Sequence, residues 1–513
     1  MRTTVEPGST GSSDSEGADT RAPIPGDVPG AHEVPSVAWP LLLRRRVQRR
    51  VEASDRYRWW VLWSVLSGMF AAGFGFTILA VSIPGIATDL GASETSVTWV
   101  VVGPMVMFAV AMPVLGKMGD LYGHRRVYLI GMSLFVVFTG LSALAWNAAS
   151  LVAIRTLAAV EGAATGPASM ALINRAFPPA DRVKAMGFFS LVAAGAPVLG
   201  LVAGGVLVET FGWRALFLTQ LPLAALAVGL NAMVLRETPR QRDLALDLRG
   251  SISVAVAAVS ALLLLERGNA LGWSHPAVLA MGAVVPLALW SFVAAERRAA
   301  NPLVPLDFFS RRNFSFPLVA LFCGNSAYMG GFIISPLLMQ HVFGYSVAAS
   351  ALVMLWRPLT FSVTAPISGY AATRVGERLS SVTGNGLIAV SMLALAQGAA
   401  DRSLVFVVAG LVLSGVGMGM ASPSLQASVA NAVDEVHLGI AGAAQQMVFM
   451  IGASAGIQIL KLVQGDARVA APFVDAYLVG GVLALVGVVA AAFVRSLDRE
   501  AVTAAEASPA VAG

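Results

Sequence analysis

The sequence predicts an all-α polytopic membrane protein with about fourteen helices crossing the bilayer. Two features of composition and one of pattern say so. Hydrophobic residues make up 57% of the 513 residues and charged residues only 12%, and the mean hydropathy is +0.74. A water-soluble chain carries roughly 25% charged residues. Half that charge leaves most of the outer surface to face lipid. From Trp59 onward, apolar stretches alternate with short polar loops. Each stretch is about 20 residues, the length that spans a hydrocarbon core of about 30 Å.

The elements follow in chain order. Residues 1 to about 35 are rich in Gly, Pro, Ser, Thr and acids. Such a segment buries too little apolar surface to offset ordering entropy and is expected to be disordered. It lacks the early apolar run of a signal peptide. Arg44, Arg45, Arg46, Arg49, Arg50, Arg56 and Arg58 then form a basic cluster that anionic headgroups attract. The predicted spans are about 59–82, 95–115, 127–145, 151–173, 185–208, 215–235, 250–266, 276–295, 314–339, 347–368, 379–397, 404–424, 438–460 and 473–494. Gly268 to His275 separates the seventh from the eighth. Trp39, Trp59, Trp60, Trp146 and Trp273 sit near predicted interfaces, where amphipathic rings are favoured.

Lys and Arg orient the chain. With the N-terminus inside, about 25 of them fall in inner segments and about 5 (Arg214, Arg267, Arg402, Lys461, Arg468) outside. Both termini are therefore expected to be cytoplasmic, in the plasma (inner) membrane. The loop between the twelfth and thirteenth spans breaks the pattern, having neither Lys nor Arg. The net charge of +5 is a topological signal, so no nucleic-acid partner is expected.

Several chemistries are excluded. Cys323 is the one cysteine, so no internal disulfide and no Cys-based metal site can form. His32, His124, His275, His341 and His437 are scattered in or near loops, which argues against a catalytic metal and against an enzyme. There is no phosphate-cradling Gly-x-x-x-x-Gly-Lys-Ser/Thr loop, so ATP is not expected as the energy source, no cofactor is expected, and a proton gradient is the natural alternative.

The loop after the second span reads Gly116-Lys117-Met118-Gly119-Asp120-Leu121-Tyr122-Gly123-His124-Arg125-Arg126. The loop after the tenth reads Gly369-Tyr370-Ala371-Ala372-Thr373-Arg374-Val375-Gly376-Glu377-Arg378. Both carry Gly at the first and eighth positions and Arg at the tenth, which points to two parallel halves. The first loop resembles the signature loop of the major facilitator superfamily, and about 59–495 is similar to its fourteen-helix drug:proton antiporter branch. Arg155 followed by Pro167, Gly200 with Gly204 and Gly205, Phe211-Gly212-Trp213-Arg214, Gly272-Trp273 and Asn301-Pro302-Leu303-Val304-Pro305 carry the same likeness. The resemblance implies a disordered basic tail (1–57), a six-helix bundle (58–236), a linker holding two extra helices (237–313), a second six-helix bundle (314–495) and a short disordered tail (496–513). It also implies a monomer that moves a small-molecule substrate against protons.

The candidate site residues follow. Gly116, Asp120, Gly123, Arg125 and Arg126, with Gly369, Gly376 and Arg378, are expected to form gating loops. A carboxylate at Asp120 can face the N-terminus of a neighbouring helix and bond nearby guanidiniums. Thr373 stands where the second loop would need an acid. Arg155 lies inside the fourth span, where a charge costs roughly 2.5–3.5 kcal/mol and marks a pathway or a buried pair. The resemblance gives it a part in proton coupling. Glu161 is six residues further on, about 120° round the helix and about 9 Å along it. Relatives usually have glycine there, and an aspartate where this chain has Gly75. Glu161 is thus read as the replacement coupling acid, or as one member of a fixed ion pair. Arg357 can pair with Glu161, bind an anionic substrate, or snorkel to a loop. Gly195, Gly200, Gly204 and Gly205 permit close packing and bending of the fifth span. They resemble the antiporter motif, with Leu201 where that motif has proline and Pro197 a turn earlier. Gln220, Asn231, Asn325, Tyr328, Asn385, Gln445 and Gln446 line a cavity or bond helices together. Proton-coupled export of amphipathic compounds leads. Export or uptake of a metabolite or lipid-like molecule, and a membrane sensor, are the other readings.

Overall fold

The computed structural model of the chain describes residues 54–74, 79, 82–238, 247–299, 302, 304–465 and 469–497. Most of both predicted tails, Gly75, Asn301 and Leu303 lie outside the described residues.

Among the described residues the helices are α1 (Tyr57–Phe74), α2 (Ile83–Asp89), α3 (Glu94–Tyr122), α4 (His124–Ala143), α5 (Ala148–Ala176), α6 (Arg182–Phe211), α7 (Arg214–Val234), α8 (Leu248–Leu271) and α9 (Pro276–Glu296). After them come α10 (Arg312–His341), α11 (Val347–Met354), α12 (Trp356–Val375), α13 (Glu377–Ala400), α14 (Leu404–Asn431), α15 (Leu438–Gln464) and α16 (Ala470–Ala492). Short 3₁₀ turns at Pro179–Asp181, Leu306–Ser310 and Glu435–His437 join some of them. Ten helices among the described residues are long and apolar enough to cross a membrane. Helices α1, α3, α8 and α12 pack beside them.

Most helices overrun the predicted apolar span by up to two turns, because helical hydrogen bonding continues past the depth at which side chains must be apolar. Side chains close the overhanging ends. Asn147 accepts from the Ser150 N–H at 2.7 Å and Ser150 Oγ accepts from the Asn147 N–H at 3.2 Å. Asp247 caps α8 through the Gly250 N–H at 3.0 Å, and Ser346 caps α11 through the Ala349 N–H at 3.1 Å. The first predicted span is described as helix from Tyr57 to Phe74, and residues 75–78 lie outside the described residues. The tenth predicted span is interrupted: it is split at Leu355 into α11 and α12. Pro358 lacks an N–H, and its ring crowds the carbonyl of Met354.

Helices α1 to α7 pack on one another, α5 against α3, α4 and α1, and α7 against α4 and α1. Helices α10 to α16 do the same, α13 against α14 and α16, and α10 against α15 and α16. Helices α8 and α9 form a hairpin laid on α3 and α15. The two larger sets meet along α6 with α12 and α14, and along α3 and α5 with α15. Glycine makes these seams close. At Gly187 a Cβ would stand 2.7 Å from the Ala365 carbonyl oxygen. At Gly369 it would stand 2.8 Å from that of Val183, and at Gly116 it would meet Ala443 at 2.6 Å. Outward faces stay apolar: Leu279, Leu287 and Trp290 of α9 and Leu485 and Val489 of α16 are exposed. In water that surface would drive aggregation; in lipid it is the solvated face.

Candidate functional site

Asp120, in the last turn of α3, reaches across the seam to the start of α15. Its Oδ1 accepts from the Gly439 N–H at 2.9 Å and its Oδ2 from the Ile440 N–H at 3.0 Å. Both amides belong to the unpaired first turn of a helix, whose dipole favours an anion there. The His124 Nε2 lies 3.2 Å from the same carboxylate, with both side chains almost fully buried. Of the two partners expected for Asp120, the helix terminus is the one found. The guanidiniums go elsewhere: Arg125 donates to Glu237 Oε2 at 3.1 Å and to the Ala232 carbonyl at 3.1 Å, and Arg126 meets Glu237 Oε1 at 3.2 Å. Glu237 and His124 were not among the residues singled out from sequence. Glu237 is signalled only by being the one acid just past the sixth span.

The second copy of the loop is built alike at its glycines and differently at its acid. Gly123 and Gly376 both have positive φ and both separate two helices. Gly123 lies against Glu237 and Thr238, just past α7, and Gly376 against Ser496, just past α16. The Arg378 N–H donates to Ser496 Oγ at 3.1 Å, and Glu377 Oε2 accepts from the Leu497 N–H at 3.1 Å. Thr373 donates to the Tyr370 carbonyl of its own helix at 2.7 Å and makes no bond across the seam among the described residues.

A third set of cross-seam bonds was not foreseen. Arg182 is buried at the start of α6. It donates to the carbonyls of Asn174 (2.8 Å) and Ala430 (3.2 Å) and to Asn431 Oδ1 (3.0 Å). Asn431 returns a bond to the Pro179 carbonyl at 3.2 Å, and Arg175 donates to the Glu435 carbonyl at 2.5 Å. From its own side of the seam, Arg311, just before α10, reaches the Ala432 carbonyl at 2.9 Å. The segment that lacks Lys and Arg thus accepts bonds from arginines of other segments. The hydrogen bonds described between the two sets cluster at this one end of the molecule.

Deeper in the helices, Glu161 is buried on α5 and its Oε2 has no hydrogen-bond partner among the described residues. Arg155, on the same helix, lies 5.7 Å from the centroid of the Phe217 ring, and its Nε is equally unpartnered. No hydrogen bond or ion pair joins the two among the described residues, as the six-residue spacing leads one to expect. Arg357 neither reaches Glu161 nor snorkels to a loop. It is fully buried and donates to the Tyr328 carbonyl, with its guanidinium 4.0 Å from the Tyr328 ring centroid. It stands two residues past the break between α11 and α12 and directly before Pro358.

The glycines of α6 act in packing. Gly200 lies so close to the Phe74 carbonyl that no Cβ fits, and Gly195 faces Ser362 of α12. Gly204 is buried, and Gly205 lies in the same helix. The amides mostly bond helices together: Gln220 to the Ala71 carbonyl at 3.2 Å, Asn231 to that of Ser64 at 2.8 Å, and Asn325 to that of Phe449 at 2.6 Å. Asn385 stays on its own helix, bonding the Ser381 carbonyl at 3.0 Å.

The profile of the Major Facilitator Superfamily matches residues 65–457 and again 318–511. A tetracenomycin C resistance and export protein of Streptomyces glaucescens is 32% identical over 427 residues, covering 81% of this chain and 78% of its own. The multidrug transporter protein MdtP of Bacillus subtilis is 27% identical over 413 residues, covering 80% and 76%. Among solved structures, the human organic anion transporter MFSD10 superposes with TM-score 0.63 at 17% identity, over 85% of this chain and 99% of its own. The proton:xylose symporter XylE gives 0.59 at 13% identity, over 85% and 95%. At those identities the two structures speak for the fold alone.

Proposed function

Because this chain belongs to the major facilitator superfamily, we propose that it exports amphipathic small molecules in exchange for protons, by alternating access between its two helical sets. Export is supported by the relatives that span most of its length, among them one that confers resistance to tetracenomycin C. The observation that carries proton coupling is Glu161, a buried carboxylate with an unpartnered oxygen, set in one helix with Arg155. A carboxylate so placed is costly when charged and unpaired, and a nearby cation offsets part of that cost. The balance is close enough for a conformational change to tip it, which is what a coupling acid requires.

The gate follows from the seam. In the closed arrangement Asp120 sits on the amides of Gly439 and Ile440, and Arg182 on Ala430 and Asn431. The positive-inside bias assigns this end to the cytoplasm. Opening there breaks these bonds while the bonds inside each set, such as Arg125 to Glu237, travel with their helices. A membrane potential supplies about 2.3 kcal/mol per charge per 100 mV. A thousandfold gradient costs about 4.1 kcal/mol, so one or two protons suffice.

The test is ethidium efflux from preloaded cells, native against Glu161→Gln, with equal amounts of each protein in the membrane. Efflux by the native chain and none by the variant is expected. Efflux no faster than from empty cells would remove drug export, and undiminished efflux by the variant would remove Glu161 from the coupling path.

A further inference from the structure

The lipid-facing side of the α6–α12 seam carries a feature that neither gating nor coupling uses. Along α12, Trp356, Leu359, Val363, Ile367 and Tyr370 are all exposed, three and four residues apart, so they form one stripe down one face. The next position on that stripe is Arg374, also exposed. A cavity of about 410 Å³ opens at this foot, lined by Lys184 of α6 with Tyr370, Ala371, Thr373 and Arg374 of α12. The two helices belong to different halves of the molecule.

Charge and shape at the foot agree on a ligand. Lys184 Nζ is 2.6 Å from Asp181 Oδ1, and Arg58 Nη1 is 2.8 Å from Asp181 Oδ2. Arg374 has no side-chain partner among the described residues. Lys184 and Arg58 share one carboxylate, and Arg374 lines the same cavity as Lys184, so the group of Lys184, Arg58, Asp181 and Arg374 is left net positive. The Lys184 ammonium lies 5.7 Å from the Tyr370 ring, which packs edge-on against Phe188. Phe188 in turn meets the exposed Trp63. An aromatic collar between a basic foot and an apolar stripe is the profile of a headgroup interface. The scale fits as well: Val363 to Arg374 is about 16 Å along a helix, against about 15 Å for half a hydrocarbon core of about 30 Å.

We propose that the foot of the α6–α12 seam binds an anionic phospholipid from the leaflet on the Lys- and Arg-rich face. Its phosphate lies between Lys184 and Arg374, and an acyl chain runs along the stripe from Tyr370 to Val363. Such a lipid touches both halves at the end where the seam is closed, so it favours that arrangement and is released when the foot parts. The site is independent of the transported substrate and of Glu161.

The test is retention of lipid by the purified full chain, read by native mass spectrometry. Phosphatidylglycerol and phosphatidylcholine of matched acyl chains are supplied together. The native chain is expected to keep phosphatidylglycerol at least about tenfold over phosphatidylcholine. A Lys184→Gln/Arg374→Gln double variant loses that preference, Lys184→Arg/Arg374→Lys keeps it, and Arg298→Gln, an exposed arginine beyond α9, leaves it unchanged. Arg374→Gln alone breaks no described hydrogen bond, so its folding is secure, and it lowers retention at least about threefold. Equal retention of the two lipids by the native chain overturns the proposal. So does an Arg298→Gln loss as large as that of the double variant, which would reduce the effect to overall charge.

Discussion

Gly123 and Gly376 occupy the same place in the two halves of the molecule, with φ of +98° and +89°. Each is the single residue between two helices, and each lies against the segment that follows the last helix of its own half. With ψ of 128° and 153° they sit near a region almost closed to side-chain-bearing residues, where a non-glycine costs about 1–3 kcal/mol. Gly123→Ala and Gly376→Ala are each expected to lower stability by about that much. Gly386→Ala provides the contrast: apart from its own turn of helix, nothing lies within 4 Å of the added Cβ, so it is neutral or slightly stabilising. Thermal melting in detergent checks the order.

The repeat also says which half can latch. Asp120 accepts two charge-assisted bonds, each of the kind worth about 1.5–3 kcal/mol, and Thr373 at the matching position makes none across the seam. Asp120→Asn removes the charge and one acceptor, so the closed end should open more often. With Cys323 changed to Ser, a cysteine placed at Ala443, opposite Gly116, is expected to react with a polar thiol reagent several-fold faster in the Asp120→Asn background. Thr373→Ala should leave that rate unchanged.

Arg182 and Arg175 both cross the seam but are expected to differ in weight. Arg182 is buried with three acceptors, whereas Arg175 is described making one such bond at an exposed site. Removing Arg182 leaves buried carbonyls without donors, at about 1–3 kcal/mol each. In the same labelling assay Arg182→Ala should therefore open the seam clearly more than Arg175→Ala. Equal effects would mean that the loop from Asn431 to His437 is held by charge in general rather than by Arg182.

At the other end of the molecule the outer loops carry an acid-sensitive contact. Asp89 accepts from Arg214 Nη1 at 2.5 Å and from Trp213 Nε1 at 3.0 Å. These two bonds, the arginine's first, hold its carboxyl below the ordinary value of 3.8. A lowered folded-state pKa means the contribution is complete above about pH 4 and fades as pH falls through the lowered value. Native and Asp89→Asn proteins should differ in melting temperature by the same amount at pH 7 and pH 5. The two should converge only in stronger acid. A gap that closes between pH 7 and 5 would assign the effect to another group.

What the sequence made legible and what it hid divide along physical lines. Apolar runs mark the helices because lipid imposes a length on them, and Pro at 358 explains the one span that splits. The repeated Gly and Arg positions announced two related loops, and both turned out to hold the same backbone. Partners were harder to read. Asp120 and Arg182 bind main-chain groups of Gly439, Ile440 and Ala430, and a backbone amide or carbonyl leaves no mark in residue type. Arg125 and Arg126 share Glu237, more than a hundred residues away, which only the packing of α4 on α7 brings near. Glu161 was conspicuous because an acid in an apolar helix is rare. Its lack of a hydrogen bond to Arg155 followed from six-residue spacing.

That spacing sharpens the test of Glu161. A fixed structural pair and a coupling acid both predict that Glu161→Gln is harmful, so loss of efflux from cells does not separate them. Proteoliposomes do. In exchange mode, with substrate on both sides and no pH difference, the carrier needs only to cycle. With a pH difference imposed, net movement requires a group that takes up and releases protons. If Glu161 couples, Glu161→Gln keeps exchange within about threefold of native and loses the pH-driven component, at least tenfold. If Glu161 only holds the α5 environment together, both modes fall alike, because the glutamine disturbs Arg155 whatever the gradient.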